Sequence, residues 1–152
     1  MSLAVTTPLL AKAIDLAREA HHEQVDKAGA PYLDHPLRVM AQMQTDAEKM
    51  VAVLHDAVED SELTLEDLIR HGFPGDVVDA VDAITKRAGE PYEGYLARVK
   101  ANPVALRVKI ADMSDNMDLG RIPNPTEKDH QRLLKYQGVL PQLQAALAAL
   151  GE

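Results

Sequence analysis

The sequence of 152 residues has no cysteine, and only 3% of it is aromatic. The lack of cysteine excludes disulfides, thiolate zinc sites and cysteine nucleophiles. Six histidines and 24 acidic residues are left as the donors for any metal, a set suited to a hard or borderline divalent ion. With few aromatics in a chain that is 46% hydrophobic, the core must be built from Ala, Leu, Val, Ile and Met, which favours packed helices over a β-sandwich. The expected fold class is all-α. No stretch of about eighteen apolar residues is present to span a bilayer. The start, MSLAVTTPLLAK, lacks the basic region and apolar run of a signal peptide, so a soluble, cytoplasmic protein without membrane association is expected. Basic residues are also scarce: 16 against 24 acidic, a net charge of −8, argue against general nucleic-acid binding. An anionic substrate would have to be held by a bound cation and a few local Lys or Arg side chains. The length fits one domain over residues 1–152 with one active site.

Helix signals run along the whole chain. Thr7 as N-cap and Pro8 at the first helical position begin a helix expected to reach about Val25. Gly29 and Pro31 then break the pattern, so Asp26 to His35 read as a loop, and Pro36 opens a short helix to about Gln44. Thr45 with Glu48, Thr64 with Asp67 and Thr126 with Asp129 fit the capping-box pattern, each at the start of a further helix. Val77, Val78, Val81 and Ile84 mark a scaffold helix, and a helix near Pro91 to Lys100 leads to Asn102-Pro103, a good N-cap and first position. The last helix should reach about Leu150, with a kink at Pro141.

The stretch MVAVLHDAVEDSELTLEDL, Met50 to Leu68, starts as a buried apolar helix and then carries His55, Asp56, Glu59 and Asp60 in its last turns. Buried charge is costly unless paired or bound to a metal. Taken alone, the stretch is read equally well as a metal site or as a solvated acidic helix end. Asp112 and Asn116 lie four apart beside the apolar line of Leu106, Ile110, Met113 and Met117, so both can face one edge of the core. His35 follows the loop.

In order along the chain, AHHEQVDKAGAPYLDHPLRV, LHDAVEDSELTLEDL and VKIADMSDNM resemble the successive motifs of the HD-domain metal-dependent phosphohydrolases. The resemblance is closest to the hydrolase domain of the RelA/SpoT alarmone enzymes and its small stand-alone relatives, and it runs from about Ala13 to Met117. It implies a single HD-domain bundle of seven to eight helices in which His35, His55, Asp56 and Asp112 bind one divalent ion. Manganese is the usual choice in the alarmone branch, and the mixed N/O set also suits iron, cobalt or zinc. Glu59 and Asp60 match the family's acidic pair, which handles protons while the cation lowers the pKa of a water and neutralises charge at phosphorus. Asn116, Lys27 and Tyr32 match substrate-contacting positions, and Lys109 could also reach a phosphate. The implied partner is a small nucleotide; homo-oligomerisation is left open. His21 is the remaining histidine placed to support the site from behind the ligands.

Two departures from the alarmone pattern bear on substrate. The loop carries Asp26 where relatives carry arginine, with Ala30 in place of glutamate, and Ser114-Asp115 stand where relatives often have an apolar residue and a histidine, with Asp118 adding further negative charge. Loss of a planar cation weakens the case for guanine recognition. The leading expectation is removal of the 3′-pyrophosphate from guanosine tetra- or pentaphosphate. A different nucleotide, of the nicotinamide dinucleotide phosphate or deoxynucleotide type, is the enzymatic alternative, and a non-catalytic nucleotide-binding regulatory module is the rival of another class.

Overall fold

The computed structural model describes residues 7–26 and 28–150, arranged as eight α-helices and one 3₁₀ turn. The expectations for Lys27 and for the first six residues lie outside the described residues.

Helix α1 (Pro8–Ala20) opens as its sequence dictates, the Thr7 hydroxyl accepting the Leu10 N–H at 3.2 Å. It ends five residues earlier than the expected Val25. The His21 N–H caps the Ala17 carbonyl, and Glu23 then takes a φ of +63°, turning the chain into the loop. That loop is a small hairpin. The Asp26 N–H donates to Ala30 O and the Tyr32 N–H to Gln24 O, both at 2.8 Å, around Gly29 at φ +83°.

Helix α2 (Asp34–Ala41) starts two residues before the expected Pro36 and so includes His35. A proline is tolerated there because first-turn N–H groups have no intrahelical acceptor to lose. The three Thr capping boxes form as expected, at the starts of α3 (Asp46–Asp60), α4 (Leu65–Arg70) and the final helix. Between them lie α5 (Gly75–Ile84), α6 (Tyr92–Ala101) and α7 (Pro103–Asn116), the last capped by the Asn102 side chain. Leu119–Arg121 is a 3₁₀ turn, and α8 (Glu127–Ala149) runs through Pro141 as one helix.

Helix α3 is the axis of the fold. Every residue from Met50 to Ala57 is buried, because α1, α2, α5 and α7 pack around it. One core joins those helices and includes Leu54, Leu68, Val81, Ala105 and Val108. A second core joins α6, α7 and α8 through Tyr95, Val99, Leu106, Met113 and Leu143. Helix α7 thus buries Ala105 and Val108 on one side and Leu106 and Met113 on the other.

Candidate metal centre

The site lies where α2, α3 and α7 converge. His35 comes from the first turn of α2, His55 and Asp56 from the inner turns of α3, and Asp112 from α7; all four are buried. Atoms of His35, Asp56 and Asp112 all lie within 4.8 Å of one another. His35 Nε2 is 2.7 Å from Asp112 Oδ1 and 3.8 Å from Asp56 Oδ2. His55 Nε2 lies 3.2 Å from Asp56 Oδ1 and 3.8 Å from Asp112 Oδ1. Ligand atoms bound at about 2.0–2.2 Å to a shared ion are spaced in this range.

His55 provides the test of fit. Its Nδ1 faces the carbonyls of Val51 and Ala52 at 3.2 and 3.1 Å; carbonyls only accept, so Nδ1 donates. Its Nε2 is buried, is turned toward the carboxylates and has no hydrogen-bond partner. A buried polar atom left unpaired is destabilising, and a cation in the cluster would satisfy it. The electrostatics agree with that reading. Burial alone would lower the His55 pKa, but the Asp56 and Asp112 carboxylates raise it to about 9. For His35 too, burial lowers the pKa, and Asp112, Asp115 and Asp56 together more than reverse it. Burial would raise the Asp112 pKa, yet the 2.7 Å contact with His35 and the nearby His55 and Lys109 hold it well below the usual carboxylate range. The cluster is a concentrated negative field that a proton or a metal ion neutralises. The residues fit a divalent cation.

The acidic pair stands at the end of α3. Glu59 Oε2 accepts the Lys86 N–H at 3.2 Å, and burial is the largest cause of a pKa above the ordinary carboxylate range. Asp60 is also raised, by burial first and then by the Asp56 charge. Tyr32 donates its hydroxyl to Asp56 Oδ2 at 3.1 Å, and its ring stands 4.8 Å from that of His21. His21 is itself buried, with Nδ1 3.0 Å from Gln24 Oε1. Asn116 Nδ2 reaches Asp112 Oδ1 at 3.5 Å. Lys109 is placed differently from a residue reaching for a phosphate: its ammonium lies 3.4 Å from Asp112 Oδ2 and 5.4 Å from the centre of the Tyr95 ring. Burial opposes its charge, but Asp112 and Tyr95 hold its pKa above the usual lysine value.

Beside the cluster opens a cavity of about 270 Å³, lined among others by Tyr32, His35, Asn116, Arg38, Arg121 and Arg132. The three arginines were not singled out from the sequence. For Arg38 a signal exists, since it lies three residues past His35 on the same helix face. Asp26 also lines this cavity, but its Oδ1 is occupied by the N–H groups of Ala28 and Ala30 at 2.8 and 3.0 Å. It fastens the loop.

An all-α domain with a buried two-histidine, two-aspartate cluster beside an open cavity defines a candidate metal-dependent class. The HD-domain family matches residues 13–100, and the chain belongs to that family. It is 36% identical over 117 residues to a guanosine-3′,5′-bis(diphosphate) 3′-pyrophosphohydrolase of Vibrio cholerae, covering 67% of this chain and 16% of that protein. It is 39% identical over 120 residues to a GTP pyrophosphokinase of Streptomyces coelicolor, covering 70% of this chain and 14% of that protein. The chain therefore spans about a sixth of the length of these curated relatives. A solved structure described as a metazoan ortholog of SpoT that hydrolyzes ppGpp shares the fold, with a TM-score of 0.75 at 21% identity, over 97% of this chain and 96% of that one.

Proposed function

We propose that this domain is a metal-dependent nucleotide phosphohydrolase that removes the 3′-pyrophosphate of guanosine tetra- or pentaphosphate. The observation that carries the reading is the unpartnered His55 Nε2, buried against Asp56 and Asp112 next to His35 and an open cavity. Similarity to the pyrophosphohydrolases supports the choice of substrate. His35, His55, Asp56 and Asp112 would hold one divalent ion, with manganese the preferred candidate. Bound there, such an ion acidifies a water and offsets charge at phosphorus.

The chain's own groups supply the remainder. Tyr32 and Lys109 hold Asp56 and Asp112 in place through their hydroxyl and ammonium groups. Glu59 and Asp60, at the end of α3 one turn past His55 and Asp56 and with pKa values raised above the ordinary carboxylate range, are assigned the proton exchange, and such a base is worth about 10²–10⁴ in rate. Asn116 and Arg132, which line the cavity, receive the nucleotide, with Lys27 assigned to the same task from the sequence. Incubation of the purified protein with manganese and a panel of alarmones, deoxynucleotides and nicotinamide dinucleotide phosphate tests the proposal. Pyrophosphate release from the alarmones is expected. Manganese binding without product from any nucleotide would overturn the enzymatic reading.

A further inference from the structure

We propose that Asp115 is a positioning residue for the metal site, fixing the ring of His35 so that Nε2 is presented to the cation. The proposal rests on the metal-site reading above. Its starting point is an asymmetry between the two histidines. His55 lies inside a helix, and its Nδ1 is held by the carbonyls three and four residues earlier. His35 is the second residue of its helix. The corresponding carbonyls, of Tyr32 and Pro31, belong to the loop and accept the backbone N–H groups of His35 and Asp34 rather than the ring. The partner of His35 Nδ1 comes from elsewhere.

Asp115 supplies it from α7, one turn beyond Asp112. Its Oδ2 lies 2.5 Å from His35 Nδ1, on the opposite side of the ring from the 2.7 Å contact between Nε2 and Asp112. A carboxylate can only accept, so both ring nitrogens donate in the metal-free cluster; a cation taking the place of the proton between Nε2 and Asp112 would leave the other proton on Nδ1, held by Asp115. Burying a further carboxylate beside Asp56 and Asp112 would be costly alone. Two arginines offset it. Arg38 grips both oxygens at 2.9 and 3.0 Å, and Arg121 lies 3.0 Å from Oδ1 while donating to the Asp115 carbonyl at 2.6 Å. Asp115 lines the cavity, but its side chain is only 7% exposed and both oxygens are engaged by His35, Arg38 and Arg121. Asp115, which from sequence alone adds negative charge at the substrate's edge, is thereby assigned to the ligand shell's support.

Manganese titration followed by electron paramagnetic resonance, which counts unbound ion, gives a readout independent of turnover. In Asp115→Asn the dissociation constant should rise about 10–100-fold. In a His35→Ala background the same substitution should add no further loss, because Asp115 acts through His35. An unchanged affinity in Asp115→Asn, or an equal loss in both backgrounds, would overturn the proposal. The wild-type protein gives a second test that needs no variant. In long-range ¹H–¹⁵N spectra of the zinc-loaded form, His35 should carry its proton on Nδ1; a proton on Nε2 overturns the assignment. Failure of the wild type to bind either metal would instead strike the metal-site reading itself.

Discussion

Glu59 shows how one carboxylate can have two duties. Its Oε2 accepts the Lys86 N–H, tying the end of α3 to the segment after α5, while its charge is felt alongside those of Asp56, His55 and Lys109. Glu59→Gln keeps an oxygen for the Lys86 tether and removes the proton-accepting charge. We expect manganese stoichiometry and the thermal midpoint to be retained while kcat falls by about 10²–10⁴, measured by steady-state pyrophosphate release against a metal titration. At this scale His35, His55, Asp56 and Asp112 were legible as candidate ligands through the resemblance to the family's motifs, because helical spacing alone left a metal site and a solvated helix end equally open. The neighbours that set their roles were not. Asp115 finds Arg38 and His35 across 77 and 80 residues of chain, and the bonds from Asp26 to its own loop depend on a turn whose geometry no spacing rule specifies.

At the scale of elements, starts were easier to read than ends. The three Thr capping boxes are written in residues three apart and form as written. The end of α1 is set by a backbone turn at Glu23, within a stretch whose pattern still permits helix, and Pro36 hides the true start of α2 because proline is as acceptable at a third helical position as at a first. The join between α5 and α6 was also invisible. There Arg98 binds Glu90 through two bonds of 2.7 Å and donates to the carbonyls of Asp82 and Thr85 at 2.8 and 3.0 Å. The Arg98 bonds lower the Glu90 pKa from 4.5 to about 2. A depressed carboxylate stabilises the fold above its unfolded pKa and loses that contribution as pH falls toward the folded value. Glu90→Gln should therefore be less stable than wild type above about pH 4.5, and the difference should shrink as pH drops to about 2. Urea denaturation of both proteins across that range checks the sign.

For the whole molecule, the site and the core are the same place. Asp56 and His55 sit on the helix that α1, α2, α5 and α7 surround, so an ion bound there is bound only by the folded chain. Manganese at about a hundred times its dissociation constant should add about 2.7 kcal/mol of stability and raise the thermal midpoint by about 5–10 °C, with a chelator reversing the shift. Calorimetry with and without the ion measures this. An unchanged midpoint would mean that the cluster does not take up the cation. The all-α architecture itself was legible, since a chain poor in aromatics and rich in Ala, Leu and Val has few other ways to fill a core. The division of the core in two was not, because α7 is apolar on two sides and its periodicity alone does not say which neighbours share it.

That double burial of α7 separates two clocks. Opening α7 would expose both cores at once, so its amides are expected to exchange with solvent only through global unfolding. The loop before α2 is held by a few backbone bonds and the Asp26 carboxylate, and opening at far smaller cost is expected there. In the proposed function, a nucleotide would enter and leave past Tyr32 many times while the four buried residues behind it stay in place.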